Sequence, residues 1–404
     1  MSNIHLALSG ICLYNNSMII GFKTQLKINQ SQRLLLAKHA GTARHAWNQG
    51  LCLCKEVLNY NRINPDEKIK FPSAIDLHKW LVVSVKVANP WYYEVSKCAP
   101  QYALRALSDA FKAFFKKVKG FPKFKKRGRN DSFTLDGSIQ IDHRQVKVPV
   151  IGWIKTYERL PHGVRPKSVT ISTSADKWFI SFKIEVEPSD SLKLVDVVGV
   201  DLGINHLATL STGEVFDGAK SYKSSENKLS RMQWLNRRKQ VGSSNCKKAQ
   251  LKVAKLHRKV ANIRKHTLDK ITTYISKNHA VIGIENLNVR GMLSNGKLAK
   301  ALADMGFYEF RRQLEYKTQL YGSKLVVVDR FYPSSKTCSS CGIKKESLSL
   351  KERIFICEHC LFECDRDLNA SINLEKAARS VVSACGLDSA DTSRLKQEEN
   401  VSNC

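Results

Sequence analysis

Apolar and polar residues alternate from Met18 to Ile28, placing Phe22 and Ile28 on one face and Gln25 and Asn29 on the other, which predicts a strand. Asn29 and Gln32 have the spacing of a capping box. The helix that they open carries Leu34, Leu35, Ala37, Ala43, Ala46 and Trp47, and helical text continues to about residue 119. Its clearest stretch is Leu104, Leu107, Phe111, Phe114 and Val118, three and four apart, before Gly120, Phe121 and Pro122 break the pattern. Apolar runs at 139–142, 146–150, 168–172 and 178–184, punctuated by Gly and Pro, predict a small β domain. After a polar linker near 187–191, an apolar strand at 195–200 is followed by 207–216, a hairpin partner with a Gly turn. Long helices are expected over 225–278, a buried strand at 280–285, an amphipathic helix at 307–321, a strand at 325–328 and a helix over 368–381. The polar tail is expected to be disordered. No internal repeat is visible.

Charge changes this picture. The chain has 404 residues, enough for two or three domains, and Lys and Arg number 66 against 36 Asp and Glu, a formal net charge of +30. Such an excess selects a polyanion, and nucleic acid is the commonest one. An acidic membrane surface is the rival, but no apolar run of about 18 residues could form a spanning helix. The segment from Leu6 to Ile20 is interrupted by Asn15, Asn16 and Ser17 and lacks a basic lead-in, so it does not read as a signal peptide. Two tracts concentrate the charge. Nine Lys or Arg and no acid lie between Lys112 and Arg129, among them Lys123, Lys125, Lys126 and Arg127. Sixteen lie between Lys220 and Lys270 against two acids, among them Arg231, Arg237, Arg238, Lys255, Arg258 and Lys259. These ten residues are the candidate nucleic-acid contacts, since clustered cations bind phosphate by releasing counterions; a solvated helical face is the bland alternative. The Phe residues of the first tract fit the helix period and read as core. Trp47 reads as packed inward, although His45 and Asn48 beside it have the chemistry to touch a nucleotide.

Of twelve cysteines, Cys338 and Cys341 form one C-x-x-C pair and Cys357 and Cys360 another, fifteen residues apart. That spacing fits a tetrahedral four-thiolate zinc site, which is structural because protein fills every position. Cys364, four residues beyond Cys360, is an alternative ligand, and His359 a weaker one. The other cysteines show no framework spacing, as expected of a reducing compartment. Three acids stand at telling places. Asp201 ends the apolar run Val197–Val200, Glu285 ends Val281–Ile284, and Asp367 sits at a helix start. Singly they read as a turn residue, a surface acid and a helix cap. Brought together they would make a hard oxygen cage suited to Mg²⁺, and two such ions can drive phosphodiester hydrolysis. The ribbon would then position the carboxylate that follows it.

Gly199-Val-Asp-Leu-Gly203, Gly283-Ile-Glu-Asn-Leu287, the run from Tyr332 to Gly342 around the first cysteine pair, and Asp365-Arg-Asp-Leu-Asn-Ala370 resemble the TnpB (OrfB) proteins of insertion sequences, compact relatives of type V CRISPR nucleases. Gly41-Thr-Ala-Arg-His-Ala-Trp-Asn48 and Gly120-Phe-Pro-Lys-Phe-Lys-Lys126 resemble the N-terminal signatures of that family. The resemblance covers residues from about 18 to 381. It implies an α/β, RNase H-like (RuvC) nuclease domain at 194–329 and 364–381 with an inserted zinc ribbon at 330–363. It also implies a β-barrel domain at 18–29 and 125–190 carrying a helical insert at 30–124. Residues 1–17 would be a non-family extension and 382–404 a disordered tail. The implied catalytic acids are Asp201, Glu285 and Asp367, with Asp365 the alternate third acid. The implied ribbon ligands are Cys338, Cys341, Cys357 and Cys360. Implied cofactors are one structural Zn²⁺, catalytic Mg²⁺ and a guide RNA from the transposon end, and the implied partner is double-stranded target DNA in the cytoplasm, at the nucleoid. Leu361 departs from the family where glycine commonly follows the last ribbon cysteine, Ser371 where a second alanine is usual, and Cys364 where histidine is common. Two rivals stand beside an RNA-guided endonuclease. A conventional transposase would use the same acids for strand transfer without a guide, and a non-catalytic regulator would keep the basic tracts and the ribbon.

Overall fold

A computed structural model of the chain describes residues 17–384, apart from 190, 350 and 351. The expectations for residues 1–16 and 385–404 lie outside the described residues. The chain forms two compact units, divided at Val186 and Glu187.

The N-terminal unit opens with β1 (Met18–Lys27) and α1 (Gln30–Ile63). The Asn29–Gln32 capping box forms in both directions at the start of α1. A short α2 (Ala74–Trp80), a π turn at Leu81–Val85 and α3 (Lys86–Ala88) lead through a 3₁₀ turn to α4 (Cys98–Phe115). Helices α1 and α4 pack closely at Gly50, where a Cβ would lie 2.7 Å from Leu104 Cδ2. The helix ends earlier than its periodicity predicts. Lys117 adopts a left-handed φ of 57°, Val118 N–H reaches Ala113 O and Lys117 N–H reaches Phe114 O, a Schellman closure that stops α4 before Val118 can join the core. Strands β2 (Ser132–Asp136), β3 (Gln140–Asp142), β4 (Gln145–Val148), β5 (Gly152–Thr156), β6 (Ser168–Ser174) and β7 (Lys177–Val186) complete a seven-stranded order β2-β6-β7-β1-β5-β4-β3. The long β1 serves both halves. It pairs with β7 from Met18 to Gln25 and with β5 at Leu26 and Lys27. One apolar core runs through sheet and helices, from Ile154 and Ile171 to Leu36 and Phe111.

The C-terminal unit is built on a five-stranded sheet. Strands β8 (Val195–Asp201), β9 (Ala208–Leu210) and β10 (Val215–Phe216) form an antiparallel meander. The basic helices α5 (Ser221–Arg237) and α6 (Ser244–Asn278) follow, then β11 (His279–Glu285), two short helices α7 (Val289–Leu293) and α8 (Ala299–Met305), α9 (Phe307–Leu320) and β12 (Lys324–Val328). Sheet order is β10-β9-β8-β11-β12, with β8, β11 and β12 parallel. The ribbon hairpin β13 (Ile354–Ile356) and β14 (Glu363–Asp365) leads directly into α10 (Arg366–Ala384). Strand alternation splits the apolar residues between two faces. Val198, Val200, Ile282 and Ile284 meet Leu268, Ile271, Phe310 and Leu314 of α6 and α9. On the other face Val197, Val281 and Val326 meet Ala378 and Val382 of α10. No helix among the described residues is long and apolar enough to cross a membrane.

Candidate active site

The two strand-end acids are set by register. Val200 of β8 lies opposite Ile284 of β11, so Asp201 and Glu285 leave the sheet side by side at the carboxyl ends of parallel strands. Gly199 precedes Asp201 by two residues and Gly283 precedes Glu285 by two, so each glycine shares a face with its acid. The glycines are also partners in the ladder. Together they form a notch into which the α10 backbone sinks. A Cβ at Gly199 would overlap the Ser371 carbonyl oxygen and the Glu375 amide, and one at Gly283 would lie 2.8 Å from Leu374 O and from Ala378 Cβ. Seated there, α10 presents its first turn to the strand ends, and an atom built at Gly203 would lie 3.9 Å from Asp367 Oδ2.

The choice between the two adjacent acids is made by capping. Asp365 Oδ1 accepts the amides of Asp367 at 2.9 Å and Leu368 at 3.0 Å, so Asp365 is the N-cap of α10 and Asp367 is spared that duty. Of the three remaining acids, Asp201 feels the other two. Burial, then the carboxylates of Asp367 and Glu285, push Asp201 up to about 7, while Arg366 pulls the other way. Burial also raises Glu285. Hard oxygen donors that are buried and, at Asp201, crowded by other carboxylates fit a divalent cation, which relieves both costs.

The four cysteine thiols form a second cluster. Their sulfurs lie within 4.8 Å of one another, with Cys338–Cys360 and Cys341–Cys357 at 3.6 Å. Zn–S bonds of about 2.3 Å in a tetrahedron separate sulfurs by about 3.8 Å, so the set fits that ion. Backbone N–H groups of Cys360 and then His359 pull the Cys357 thiol down, whereas the neighbouring Cys341 thiol is pushed up by burial and by the sulfurs around it. Cys364 is not in the set. It pairs with Phe355 across the hairpin and packs against the small ribbon core. Among the described residues no other group of three or more His, Cys, Asp or Glu closes to this spacing, so the three acids do not share so tight a space.

Residues that sequence reasoning passed over join the clusters. Asn369, fully buried, donates from Nδ2 to Thr337 O at 2.7 Å and accepts Ser339 N–H on Oδ1 at 2.9 Å, gripping the chain on either side of Cys338. One turn on, Asn373 Nδ2 donates to Ser334 O at 2.8 Å and Thr337 O at 2.7 Å. The first cysteine knuckle is thus bolted to the helix that carries Asp367.

The basic candidates divide. Trp47 is buried and its Nε1 donates to Lys123 O at 3.0 Å, while Asn48 exchanges two hydrogen bonds with the Lys125 backbone. These bonds pin the 123–125 segment and leave Lys123, Lys126 and Arg127 exposed. Lys125 is turned back, with its ammonium 4.0 Å from the Trp47 ring centroid and its pKa lowered by burial. It is half-buried on that ring and so less open to solvent than Lys123, Lys126 and Arg127. On α5, Arg237 and Arg238 stack over the exposed Trp234 at 5.3 and 4.5 Å. Arg231, Lys255 and Lys259 are exposed and Arg258 half-buried on the α5–α6 pair. The reading of the tract's Phe residues as core is corrected: Phe114 is half-buried, whereas Phe115, Phe121 and Phe124 are exposed, although Phe114 and Phe121 touch each other's rings and Phe121 touches the buried Phe111.

Family profiles match three stretches of the chain. Residues 181–296 match an OrfB family described as "Probable transposase", 307–374 a "Cas12f1-like, TNB domain", and 18–62 a "Helix-turn-helix domain". The last stretch holds one strand and one unbroken helix in this structure. A protein of Escherichia coli (strain K12) named "Putative RNA-guided DNA endonuclease InsQ" is 34% identical, over 93% of this chain and 96% of its own. A Streptomyces pristinaespiralis protein named "Putative RNA-guided DNA endonuclease" is 38% identical, over 72% of this chain and 74% of its own. Among solved structures, the chain of a Cas12f1-sgRNA-target DNA complex shares the fold with a TM-score of 0.52 at 14% identity, over 89% of this chain and 99% of that one.

Proposed function

The chain belongs to the TnpB (OrfB) family, and from that premise we propose that it is an RNA-guided DNA endonuclease, not a conventional transposase. A guide RNA from the transposon end supplies sequence recognition by base pairing, while the protein reads duplex shape and a short flanking motif. The observation that supports the reading is the glycine notch, which seats the start of α10, with Asp367, near the strand ends that carry Asp201 and Glu285.

Asp201, Glu285 and Asp367 hold the divalent cations, taken here to be Mg²⁺. Such ions supply Lewis-acid stabilisation of charge on the reacting phosphate and acidify water. The protein's own part is placement. The sheet fixes two acids, the capped helix fixes the third, and Arg366 offsets part of their charge. Cys338, Cys341, Cys357 and Cys360 hold a structural zinc whose knuckle, through Asn369 and Asn373, keeps α10 in register. Lys123, Lys126, Arg127 and the α5–α6 residues Arg231, Arg237, Arg238, Lys255, Arg258 and Lys259 form the phosphate-facing surfaces of their respective units. The N-terminal unit acts as the barrel and helical insert, and the C-terminal unit as the RuvC-like domain with its ribbon.

The test begins with sequencing RNA that copurifies with the protein. Its guide portion is then rewritten to match a plasmid. Cutting at the rewritten site is the expected outcome. Joining of transposon ends without RNA, with no directed cutting, would establish the transposase instead.

A further inference from the structure

Acids that hold cations are deprotonated, so none of the three can give a proton to the oxygen that departs when a phosphodiester bond breaks. The proposed function leaves that proton without a donor. Imidazole is the side chain best suited to give and recover a proton near neutral pH. A histidine, His206, stands on the loop that directly follows Asp201. That loop joins β8 to β9 at the carboxyl end of β8, since Asp201 pairs with Thr209. It folds back on itself. An atom built at Gly203 would lie 2.9 Å from His206 O and 3.9 Å from Asp367 Oδ2, so His206 and the third acid flank the same residue. The histidine within the sheet, His279, opens β11 and so lies at the far end from Glu285, buried, with Nδ1 bonded to Ile275 O.

A carboxylate holds the His206 ring. The β9–β10 ladder pairs Ala208 with Phe216, and Leu207 N–H reaches Phe216 O at 2.8 Å, so the chain entering β9 and the chain leaving β10 run side by side. Asp217 is thereby set against His206, with Oδ1 3.0 Å from Nδ1. Gly218 fixes the far side of Asp217, because a Cβ there would lie 2.5 Å from the sulfur of the buried Met305. An ionised carboxylate only accepts, so Nδ1 carries the hydrogen and Nε2 is the nitrogen left for chemistry. Among the described residues Nε2 has no protein partner. The two side chains are 49% and 70% exposed, and an ion pair so open to water stabilises a fold very little. That exposure suits a group which must recover its proton from water.

We propose that His206, oriented by Asp217, is the general acid of strand cleavage. A water oxygen forms the new bond to phosphorus while the bond from phosphorus to the bridging oxygen breaks, and the electron pair of that bond stays on the departing oxygen. The Nε2 hydrogen of the imidazolium passes to this oxygen, which leaves as a hydroxyl. The attacking water gives one proton to solvent and the imidazole regains one from it, so the enzyme ends each cycle as it began. Asp217 is a positioning residue: it fixes the ring and favours its charged form. The inference rests on the nuclease reading and deepens it.

The test uses guide-loaded protein under single-turnover conditions, with a matched duplex whose target stretch is mispaired in advance so that strand opening does not limit the rate. Mn²⁺ is the ion throughout, for its tolerance of sulfur. One duplex is ordinary. The other has sulfur in place of the bridging oxygen that cleavage leaves as the hydroxyl end, and a thiolate departs without needing a proton. His206→Ala should cut the ordinary duplex about 100-fold more slowly, yet cut the sulfur duplex within about threefold of the unsubstituted protein. Asp217→Asn should show a smaller loss of the same pattern. Imidazole added to the buffer should restore part of the His206→Ala rate on the ordinary duplex and none on the sulfur one. Target binding and melting temperature should not move, which controls for folding. An equal loss on both duplexes overturns the proposal and makes the pair a support for the loop; an undiminished rate on the ordinary duplex overturns it as well. Failure of the nuclease reading is separable. It would appear as absence of directed cutting by the protein without any of these substitutions.

Discussion

The C-terminal unit holds two sets of candidate ligands, and they are gathered in opposite ways. The four thiols come from a span of 23 residues, Cys338 to Cys360, and close to within 4.8 Å. Two tight knuckles and a short hairpin suffice to assemble them. The three acids span 167 residues, from Asp201 to Asp367, and stand wider apart. Nothing local brings them together. They depend on strand register, on two missing side chains at Gly199 and Gly283, and on a helix whose start is tied to the thiol cluster. The lesson is a hierarchy: the local cluster can form without the distant one, and the distant one leans on it.

This dependence should be one-way. Cys357→Ser is expected to have the largest effect. Structural zinc sites carry roughly 10–16 kcal/mol of apparent binding energy in small domains. The variant should lose its zinc by elemental analysis and, through Asn369 and Asn373, its cleavage as well; retained zinc with normal melting would refute the ligand set. Gly199→Ala should do the reverse. The added methyl meets α10 backbone, which cannot yield as a side-chain tip can. A cost of about 1–3 kcal/mol and a cleavage loss on the order of 100-fold are expected, with zinc content unchanged. Wild-type cutting by that variant would mean that α10 need not sit in the notch.

Asn369→Ala probes the tie itself. It leaves the Ser339 amide without its partner, while the Thr337 carbonyl keeps Asn373, at about 1–3 kcal/mol. Cleavage should fall while zinc and guide RNA stay bound; if zinc falls in step with cleavage, the asparagine serves the ribbon and not the acid. The smallest expected effect is a gain. Gly342, after Cys341, and Leu361, after Cys360, occupy equivalent places in the two knuckles, and both have positive φ, 81° and 58°. Leucine in that conformation costs about 1–2 kcal/mol relative to glycine. Leu361 is also 80% exposed, so replacing it sacrifices little packing. Leu361→Gly should raise the thermal midpoint of the ribbon, and a lower midpoint would show that the side chain has a role in binding.

The same contrast explains what is legible in the sequence. Spacing alone announces the thiols, because their convergence is local. The strand-end positions of Asp201 and Glu285 are visible as the ends of apolar runs, but the function of the glycines two residues earlier is not, since only the approach of α10 reveals it. Asp365 and Asp367 cannot be told apart by chemistry; the resemblance to TnpB proteins selects Asp367, and the cap on α10 supplies the physical reason. Asp304 carries no sequence signal. It is buried and accepts the Tyr222 and Lys223 amides, capping α5 from α8, a bond across about eighty residues that leaves no local pattern. Helix α4 reads long in the sequence because Val118 keeps the period, whereas a left-handed Lys117 ends it. Lys125 reads as surface charge, because nothing in its neighbourhood along the chain betrays the Trp47 ring beneath it.

The most direct test concerns the acids together. Guide-loaded protein with Asp201→Ala, Glu285→Gln or Asp367→Asn should each bind target DNA as the unsubstituted protein does, yet cut it at least about 100-fold more slowly at saturating Mg²⁺. Undiminished cutting by any one of the three would show that the acids do not act as one centre.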